Sequence, residues 1–470
     1  MLASTDARAL PGVQAALVAM ATELNLGLLA GLGFTPPAGA GPNDLLIAIR
    51  ASGPDELAAA LATVSAALSA RPAGAAAPPG GQPPRTVGSA ARRAGPGLAL
   101  VSVPGRHAFA EALDALDAGC DVMIFSDNVP VAQEVLLKEL AAGRGLLVMG
   151  PDCGTAVVGG VGLGFSHTVA AGPVGLVAAS GTGAQQVLCL LDAAGTGVSA
   201  ALGTGGRDLT DAVGGRSTLA ALAALDADPA TELILVIGKP PAPAAAAAVR
   251  ARAESLATPV RFAFTGPGEP DLTAAAEQVL RATGTAVPRW PVWPGPAAGP
   301  RPGALRGLFA GGTLCSEAMA IASERLGVIG SNIPLRPDWR RDPRSPGPGH
   351  VMIDFGDDAF TAGRPHPMID QSLRLARLAA EAGDPAAAVI LLDVVLGHGA
   401  HPDPAAELAP AIAAARAGRD LPVVVSLIGA RSDPQGLAGQ AAALQAAGAH
   451  VFASNAAAAR FACGLIGGTP

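Results

Sequence analysis

Short apolar runs recur along this chain, each closed by a glycine-containing turn and followed by a segment whose apolar residues repeat at helical spacing. The clearest case is residues 172–186, GPVGLVAASGTGAQQ. Residues 174–179 fit a strand buried on both faces, Ser180-Gly181-Thr182-Gly183 fits a turn, and the Ala/Gln/Val/Leu stretch after it fits a helix. Glycines let a ligand approach the backbone closely. The N–H groups of a first helical turn, with the positive end of the helix dipole, favour a phosphate or a carboxylate. Ser180 and Thr182 add hydroxyl donors, although turns of this composition also serve as plain strand-to-helix connections.

The same alternation runs on both sides of this stretch. Residues 45–49 predict a strand and 54–68 a helix. Residues 98–103, 122–125 and 146–149 predict strands separated by helices near 109–116 and 132–142. Alternation of this kind predicts a parallel sheet covered by helices, with ligands at the carboxyl ends of the strands. Two of those ends are polar, Ser126-Asp127-Asn128 and Gly150-Pro151-Asp152-Cys153-Gly154-Thr155. Further on, a long-period repeat emerges. SGTG at Ser180 corresponds to GGTL at Gly311, DPATELILVIG at Asp228 to DPAAAVILLDVV at Asp384, and TPVRFAF at Thr258 to LPVVVSL at Leu421. One fold is expected twice, with the two glycine turns at pseudo-symmetric positions.

The expected fold class is therefore α/β with parallel sheets. The expected division is an N-terminal α/β segment over 1–70, a flexible Ala/Pro/Gly linker over 71–97 and a Rossmann-like domain over 98–171 that takes in part of 1–70. Two similar domains follow over 172–283 and 305–470, joined by a Pro-rich linker over 284–304. Met1 leads almost directly into a helix-like segment, so a start inside a longer reading frame is expected.

Composition narrows the partners. The formal net charge is −7 and no Lys/Arg cluster stands out, which argues against nucleic acid or an anionic membrane. The five cysteines, Cys120, Cys153, Cys189, Cys315 and Cys463, are odd in number and never form a C-x-x-C pair, so neither a disulfide framework nor a metal site is indicated. No run reaches the ~18 to 20 apolar residues of a spanning helix, and no signal-peptide pattern opens the chain. The expectation is a cytoplasmic protein.

Two polar loops carry candidate chemistry. Gly203-Thr204-Gly205-Gly206-Arg207-Asp208 follows a strand over 198–202 and offers backbone donors with a guanidinium suited to bidentate oxyanion binding, so Gly205, Gly206, Arg207 and Asp208, with Asp152, are candidate substrate-binding residues. The strand over 351–355 continues into GDDAFTAGRPHPMID, which packs Asp357, Asp358, Arg364, His366 and Asp370 into one loop. Ionisable groups at the end of a buried strand make an active-site candidate, and a solvated loop with an ion pair would have the same composition. Asp358, Arg364, His366 and also His401, in LGHGAHPDPA, are the candidate catalytic residues. His398 and His401 fit a phosphoryl acceptor, a general base or a structural hydrogen-bonder. Cys153 sits in a tight turn with no histidine near it in sequence, which disfavours a thiol nucleophile.

Taken together, DVMIFSDNVP, GLLVMGPDCGT, ASGTG, GTGGRDL with DAVGG, GKPPAP, GGTL, GDDAF with GRPHPMID, and GAHPDPA resemble the FdrA family of the succinyl-CoA synthetase/ATP-citrate lyase superfamily, from about Leu26 onward. The resemblance implies a Rossmann-like CoA-binding-type domain followed by two flavodoxin-like CoA-ligase-type domains. In the synthetases the SGT loop and its mate hold the phosphate of a phosphohistidine. By position, Ser180, Gly181, Thr182 and Gly183, with Gly311, Gly312 and Thr313, would inherit anion binding.

The departures are informative. No histidine lies between His167 and His350, and the glutamate that follows the synthetase SGT motif aligns with Gln186. No segment is left over for an ATP-grasp domain. FdrA-type proteins are similar to a subunit of oxamate carbamoyltransferase in ureide and purine breakdown, acting with neighbouring-gene subunits and a carbamate kinase. The resemblance thus implies carbamoyl transfer between carbamoyl phosphate and a carboxylate such as oxamate, with no cofactor required. The alternatives are an acyl-CoA synthetase-like ligase using CoA or ATP with a separate ATP-grasp partner, and a non-catalytic CoA- or anion-binding scaffold.

Overall fold

The computed structural model describes residues 2–41, 44–69, 83–266, 268–345, 347–361 and 364–467. In chain order it begins α1 (Leu2–Arg8), β1 (Val13–Met20), α2 (Glu23–Gly31), β2 (Leu45–Ala51) and α3 (Pro54–Ser69). Next come α4 (Val87–Ala94), β3 (Leu98–Val101), α5 (Gly105–Asp117), β4 (Asp121–Ile124), α6 (Val131–Gly143) and β5 (Val148–Met149), then a hairpin of β6 (Thr155–Val158) and β7 (Val161–Gly164). The first repeat holds β8 (Ala171–Ala179), α7 (Gly181–Ala193), β9 (Val198–Gly203), α8 (Arg216–Asp226), β10 (Leu233–Gly238), α9 (Pro243–Glu254), β11 (Val260–Phe264) and α10 (Leu272–Ala282). The second holds β12 (Val292–Trp293), β13 (Ala304–Phe309), α11 (Gly312–Leu326), β14 (Ile329–Gly330), β15 (His350–Asp354), α12 (Asp358–Thr361), α13 (Ser372–Gly383), β16 (Ala387–Val395), α14 (Pro404–Ala417), β17 (Val423–Ile428), α15 (Leu437–Ala446), β18 (Ala449–Phe452) and α16 (Asn455–Gly464).

These elements divide into two compact units. One comprises Met1–Pro83 with Gly356–Asp370, the other Pro84–Phe355 with Gln371–Pro470. In the first, β1 and β2 pair antiparallel, and Ala3, Ala7, Ala16, Val18 and Val64 form a small core of their own. The expectation that part of 1–70 completes the domain over 98–171 is thereby corrected. β1, which sequence reading missed, is buried on both faces from Ala16 to Ala19; it pairs with β2, and Ala16 and Val18 are covered by α1 and α3.

In the second unit, β3, β4 and β5 form a parallel sheet in that order. The six-stranded sheet runs β11-β10-β8-β9-β6-β7, and the seven-stranded sheet runs β12-β18-β17-β16-β13-β15-β14. Stripped of edge additions, both place the repeat's first strand between its second and third, as in flavodoxin-like sheets. β8 is parallel to β10 from Val174 opposite Leu233 to Ala179 opposite Gly238, and β13 is parallel to β16 from Leu305 opposite Val389 to Leu308 opposite Leu392. Each first strand is buried on both faces, which is why it reads as a continuous apolar run.

Both expected linkers contain structure. Residues 70–82 lie outside the described residues, but α4 follows within the stretch read as a flexible linker. Thr86 accepts from Ser89 N and Ser89 Oγ accepts from Thr86 N, a capping box ahead of Ala- and Arg-rich sequence of good helix propensity. In the Pro-rich stretch, β12 pairs antiparallel with β18, and Gly295 N donates to His450 Nδ1 at 3.1 Å.

Candidate functional site

The two glycine turns meet. After β8, Ser180 is extended and caps α7 by accepting from Gly183 N at 3.0 Å, the ordinary role of a serine N-cap. The same hydroxyl donates to Thr313 Oγ1 at 2.7 Å, in the first turn of α11. A Cβ on Gly311 would lie 2.7–2.9 Å from the side-chain atoms of Thr182, so only glycine lets the two helix tips approach this closely. Ser180, Thr182 and Thr313 are all buried.

The tips differ in what surrounds them. Beside the second turn lies Asp393, a single acid in the apolar strand β16. It accepts from Ala310 N at 2.7 Å and Gly311 N at 2.8 Å, and pairs with Arg374 at 2.7 Å. Burial pushes its carboxyl above the usual range, opposed by Arg374 and the two N–H donors. The ion pair and these donors hold it as an acceptor. Asp354 is also close, with Oδ2 2.7 Å from where a Cβ on Gly312 would stand.

The first turn instead borders a small cleft lined by Asp152, Thr155, Ser180, Gly181, Gly205 and Gly206 among others. Every lining residue precedes Arg207, so the second repeat contributes none. The cleft walls are braced by backbone. Asp152 N donates to Ser126 O at 3.0 Å, and Asp152 adopts a left-handed φ of 57°. Gly205, at φ 89°, passes so close to Pro151 that a Cβ would come within 2.4 Å of its carbonyl oxygen. Cys153 also lines the cleft, but burial pushes its thiol up to about 12, which leaves it protonated and a poor nucleophile.

Of the expected substrate-binding residues, Asp152, Gly205 and Gly206 line the cleft and two do not. Asp208 is fully buried, paired with Lys138 at 2.8 Å and accepting from Ser217 N and Thr218 N at the start of α8. Arg207 donates to Val129 O at 2.8 Å and pairs with Glu134 at 3.0 Å. Lys138 also pairs with Glu134 and donates to Thr204 O. These charges anchor the loop to α6 instead of facing a ligand, because an unpaired buried charge would be far more costly than a paired one.

Behind the tips lies an arrangement that sequence reading did not single out. Gln186 and Glu317 occupy matching positions one turn further along α7 and α11. Asn455 links them, its N–H donating to Gln186 Oε1 at 2.9 Å and its Nδ2 to Glu317 Oε2 at 2.7 Å. Glu317 also accepts from Leu272 N, at the start of α10, at 2.6 Å, and Thr273 and Ser454 hydroxyls sit 2.7 Å apart. Four helix N-termini, two from each repeat, thus converge here. Burial pushes the Glu317 carboxyl up to about 7. Its signal was the repeat itself, since laying GGTLCSE over SGTGAQQ sets Glu317 against Gln186.

The expected catalytic loop belongs to the other unit. Asp358 opens α12 there, Arg364 pairs with Asp370 at 3.3 Å, and Met368 N donates to His366 Nδ1 at 3.3 Å. These residues are therefore not brought together with the glycine turns in one unit. His401 Nδ1 accepts from Asp403 N at 3.0 Å, and its Nε2 faces Glu407, whose hydrogen bond raises the histidine above its ordinary value. His398 Nε2 lies 3.1 Å from Thr168 Oγ1. His167, passed over in the sequence, is fully buried, with Nδ1 2.6 Å from Asp433 Oδ2.

A family model described as CoA-ligase matches residues 308–465, and one described as AllF, heavy metal-associated domain, matches residues 1–83. The uncharacterized protein YahF of Escherichia coli K12 is 39% identical over 97% of this chain and 93% of its own length. The alpha subunit of ADP-forming succinate–CoA ligase from Aquifex aeolicus is 31% identical over 33% of this chain, which spans about half (51%) of that relative's length. A solved acetyl-coenzyme A synthetase of Ca. Korarchaeum cryptofilum, in complex with phosphate and ADP, is 16% identical over 78% of this chain and 82% of its own, at a TM-score of 0.31, too low to transfer geometry.

The stretch 1–83 matched by the heavy metal-associated model contains neither cysteine nor histidine, so it offers no thiolate or imidazole to a metal. Among the described residues no group of three His, Cys, Asp or Glu side chains could hold a metal, and no helix is long and apolar enough to cross a membrane.

Proposed function

Since the chain belongs to the FdrA-like family of the succinyl-CoA synthetase superfamily, we propose that it works on a ready-made acyl phosphate, as a subunit of a carbamoyl-transferring complex assembled with neighbouring-gene subunits. The observation that supports this reading is a small cleft beside the α7 tip, lined by Ser180, Thr155, Asp152 and the glycines of both flanking loops. Ser180 and Gly181, with the N–H groups of the first turn of α7, form the phosphate seat. Asp152, Gly205 and Gly206 line the side from which the acceptor approaches.

The reaction is transfer of the carbamoyl group from carbamoyl phosphate to the amide nitrogen of oxamate. The nitrogen attacks the carbamoyl carbon, a C–N bond forms, the bond from that carbon to the phosphate-bearing oxygen breaks, and phosphate leaves as the nitrogen gives up a proton. The helix tip stabilises charge on the departing phosphate, which requires no cofactor and no covalent intermediate. Gln186 in place of the synthetase glutamate supports it, because a transferase has no phosphohistidine to steady.

One observation favours a second reading. The likeness to succinate–CoA ligase alpha subunits fits an acid–thiol ligase subunit that uses CoA and ATP through a separate ATP-grasp partner, with His398 or His401 accepting phosphoryl. Reconstitution with the neighbouring-gene subunits separates the two. Phosphate-dependent cleavage of oxalurate to oxamate and carbamoyl phosphate is the expected result. Acid-labile labelling of the chain from [γ-³²P]ATP would favour the ligase, and ligand binding without turnover a scaffold.

A further inference from the structure

We propose that the outer edge of β2 and the uncharged face of α3 are where two copies of this chain join, related by a two-fold axis, through a continuous sheet running β1-β2-β2-β1. The contact lies within residues 45–69 and is independent of the chemistry proposed above.

α3 is apolar on more sides than are covered. From Leu57 to Ser69 it carries no charged residue, yet only Ala60 and Val64 are buried. A helix of that composition ordinarily lies inside a protein. Leu57, Leu61 and Leu68 fall on one stripe beside those two residues, and they are 36%, 43% and 49% exposed. β2 adds to the same strip. Leu45 and Ile47, 47% and 44% exposed, alternate onto the face of the sheet on which Ile49 joins Val64 in the small core. α1 lies over β1 and against one side of α3, so the bare stripe of α3 is turned the other way, over the outer edge of β2. Among the described residues β2 pairs with β1 alone, which leaves that edge open to a further strand.

The edge calls for an uncharged strand with an apolar layer above it, and residues 45–69 of a second copy are such a surface. Paired antiparallel about Ala48, two β2 strands set Ile47 of each beside Ile49 of the other and keep both α3 helices on one side of the sheet, antiparallel across the axis. Arg50, the one charge in β2, needs no new partner, since it donates to Gly33 O at 2.8 Å and lies over the Phe34 ring. The five exposed side chains offer roughly 400 Å² per copy, half of the ~800 Å² that a standard interface buries per partner, and the strand edge adds main-chain hydrogen bonds. The chain's own stretch 70–82 is a poorer match, being Ala, Gly and Pro with one Arg and one Gln and no β-branched or aromatic residue.

Sedimentation equilibrium of the full chain tests this, and a dimer is expected. Leu61→Glu, at an exposed position near the axis, sets two carboxylates face to face and should weaken the dimer roughly tenfold or more, with the circular dichroism of the chain unchanged. Ala48→Cys should give a disulfide-linked dimer on mild oxidation, because residue 48 faces itself across the axis within the ~4.4–6.8 Å Cα spacing that a disulfide spans. Ala59→Cys, on the opposite side of α3 from the stripe, should not, and the chain's own cysteines are buried. A monomeric chain, a dimer that Leu61→Glu leaves intact, or cross-linking from Ala59→Cys as readily as from Ala48→Cys overturns the inference. So does a monomer that takes up a neighbouring-gene subunit through the same strip, which would assign the strip to that partner. Should Leu61→Glu fail to fold, the two cysteine variants decide.

Discussion

Two copies of one strand–turn–helix face each other across a single hydroxyl hydrogen bond, Ser180 to Thr313, and a buried ion pair lies near each turn. The placement of those pairs differs. Behind the loop over 203–208, Lys138 of α6 pairs with Glu134 and Asp208 and braces that loop, while Ser180 caps α7 through Gly183 N. At the second turn, Asp393 takes the N–H groups of Ala310 and Gly311 ahead of α11 and pairs with Arg374. Duplication supplies symmetry of backbone, and the placement of charge makes the surroundings of the two turns different.

The comparison breaks most visibly at the ion pairs. Lys138→Met leaves Asp208 and Glu134 buried with less compensation, and a loss of ~3–5 kcal/mol of stability is expected by urea unfolding. A loss under ~1 kcal/mol would mean that the loop does not depend on the lysine. Arg374→Met should cost a similar amount, because Asp393 stays buried without its guanidinium partner.

A pH test follows from Glu317. Its folded carboxyl is raised to about 7 from an ordinary 4.5, so the folded chain keeps a proton that the unfolded chain has released. That contribution is complete below about pH 4 and is lost as pH rises through 7, amounting to roughly 3 kcal/mol. Glu317→Gln makes the position match Gln186 and should flatten the stability profile between about pH 5 and pH 8. An unchanged profile would place the titration elsewhere.

The smallest effects lie in the contact itself. Ser180→Ala removes an N-cap and the donor to Thr313, for ~1–2 kcal/mol, whereas Thr313→Val removes the shared hydrogen bond alone, for ~1 kcal/mol. A double-mutant cycle should return a non-zero coupling between them. Strict additivity would mean that the tips stand apart in solution.

Much of this architecture was legible from residues. The strand runs at 174–179 and 387–396, the turn at Ser180 and the alignment of SGTG with GGTL all came from local pattern, because a strand buried on both faces must be continuously apolar and a tight strand-to-helix turn must be glycine-rich. Asp393 in VILLDVV and Glu317 in GGTLCSE were visible as acids among apolar neighbours, but their partners lie on other elements. Arg207 and Asp208 misled for the same reason. In sequence they are polar residues beside flexible glycines; in the fold their charge is taken up by Glu134 and Lys138, more than sixty positions away.

The sequence by itself determined the central strands of the two repeats, their order, and that one unit is used twice, since each of these is written in local runs of residues. Only the tertiary structure decided that α7 and α11 meet tip to tip, that the cleft lies beside the first of them, and that Asp393 takes the backbone N–H groups ahead of the second. Charge acts through space at distances the chain order does not encode, so what surrounds each of two near-identical turns was settled by what folded against it.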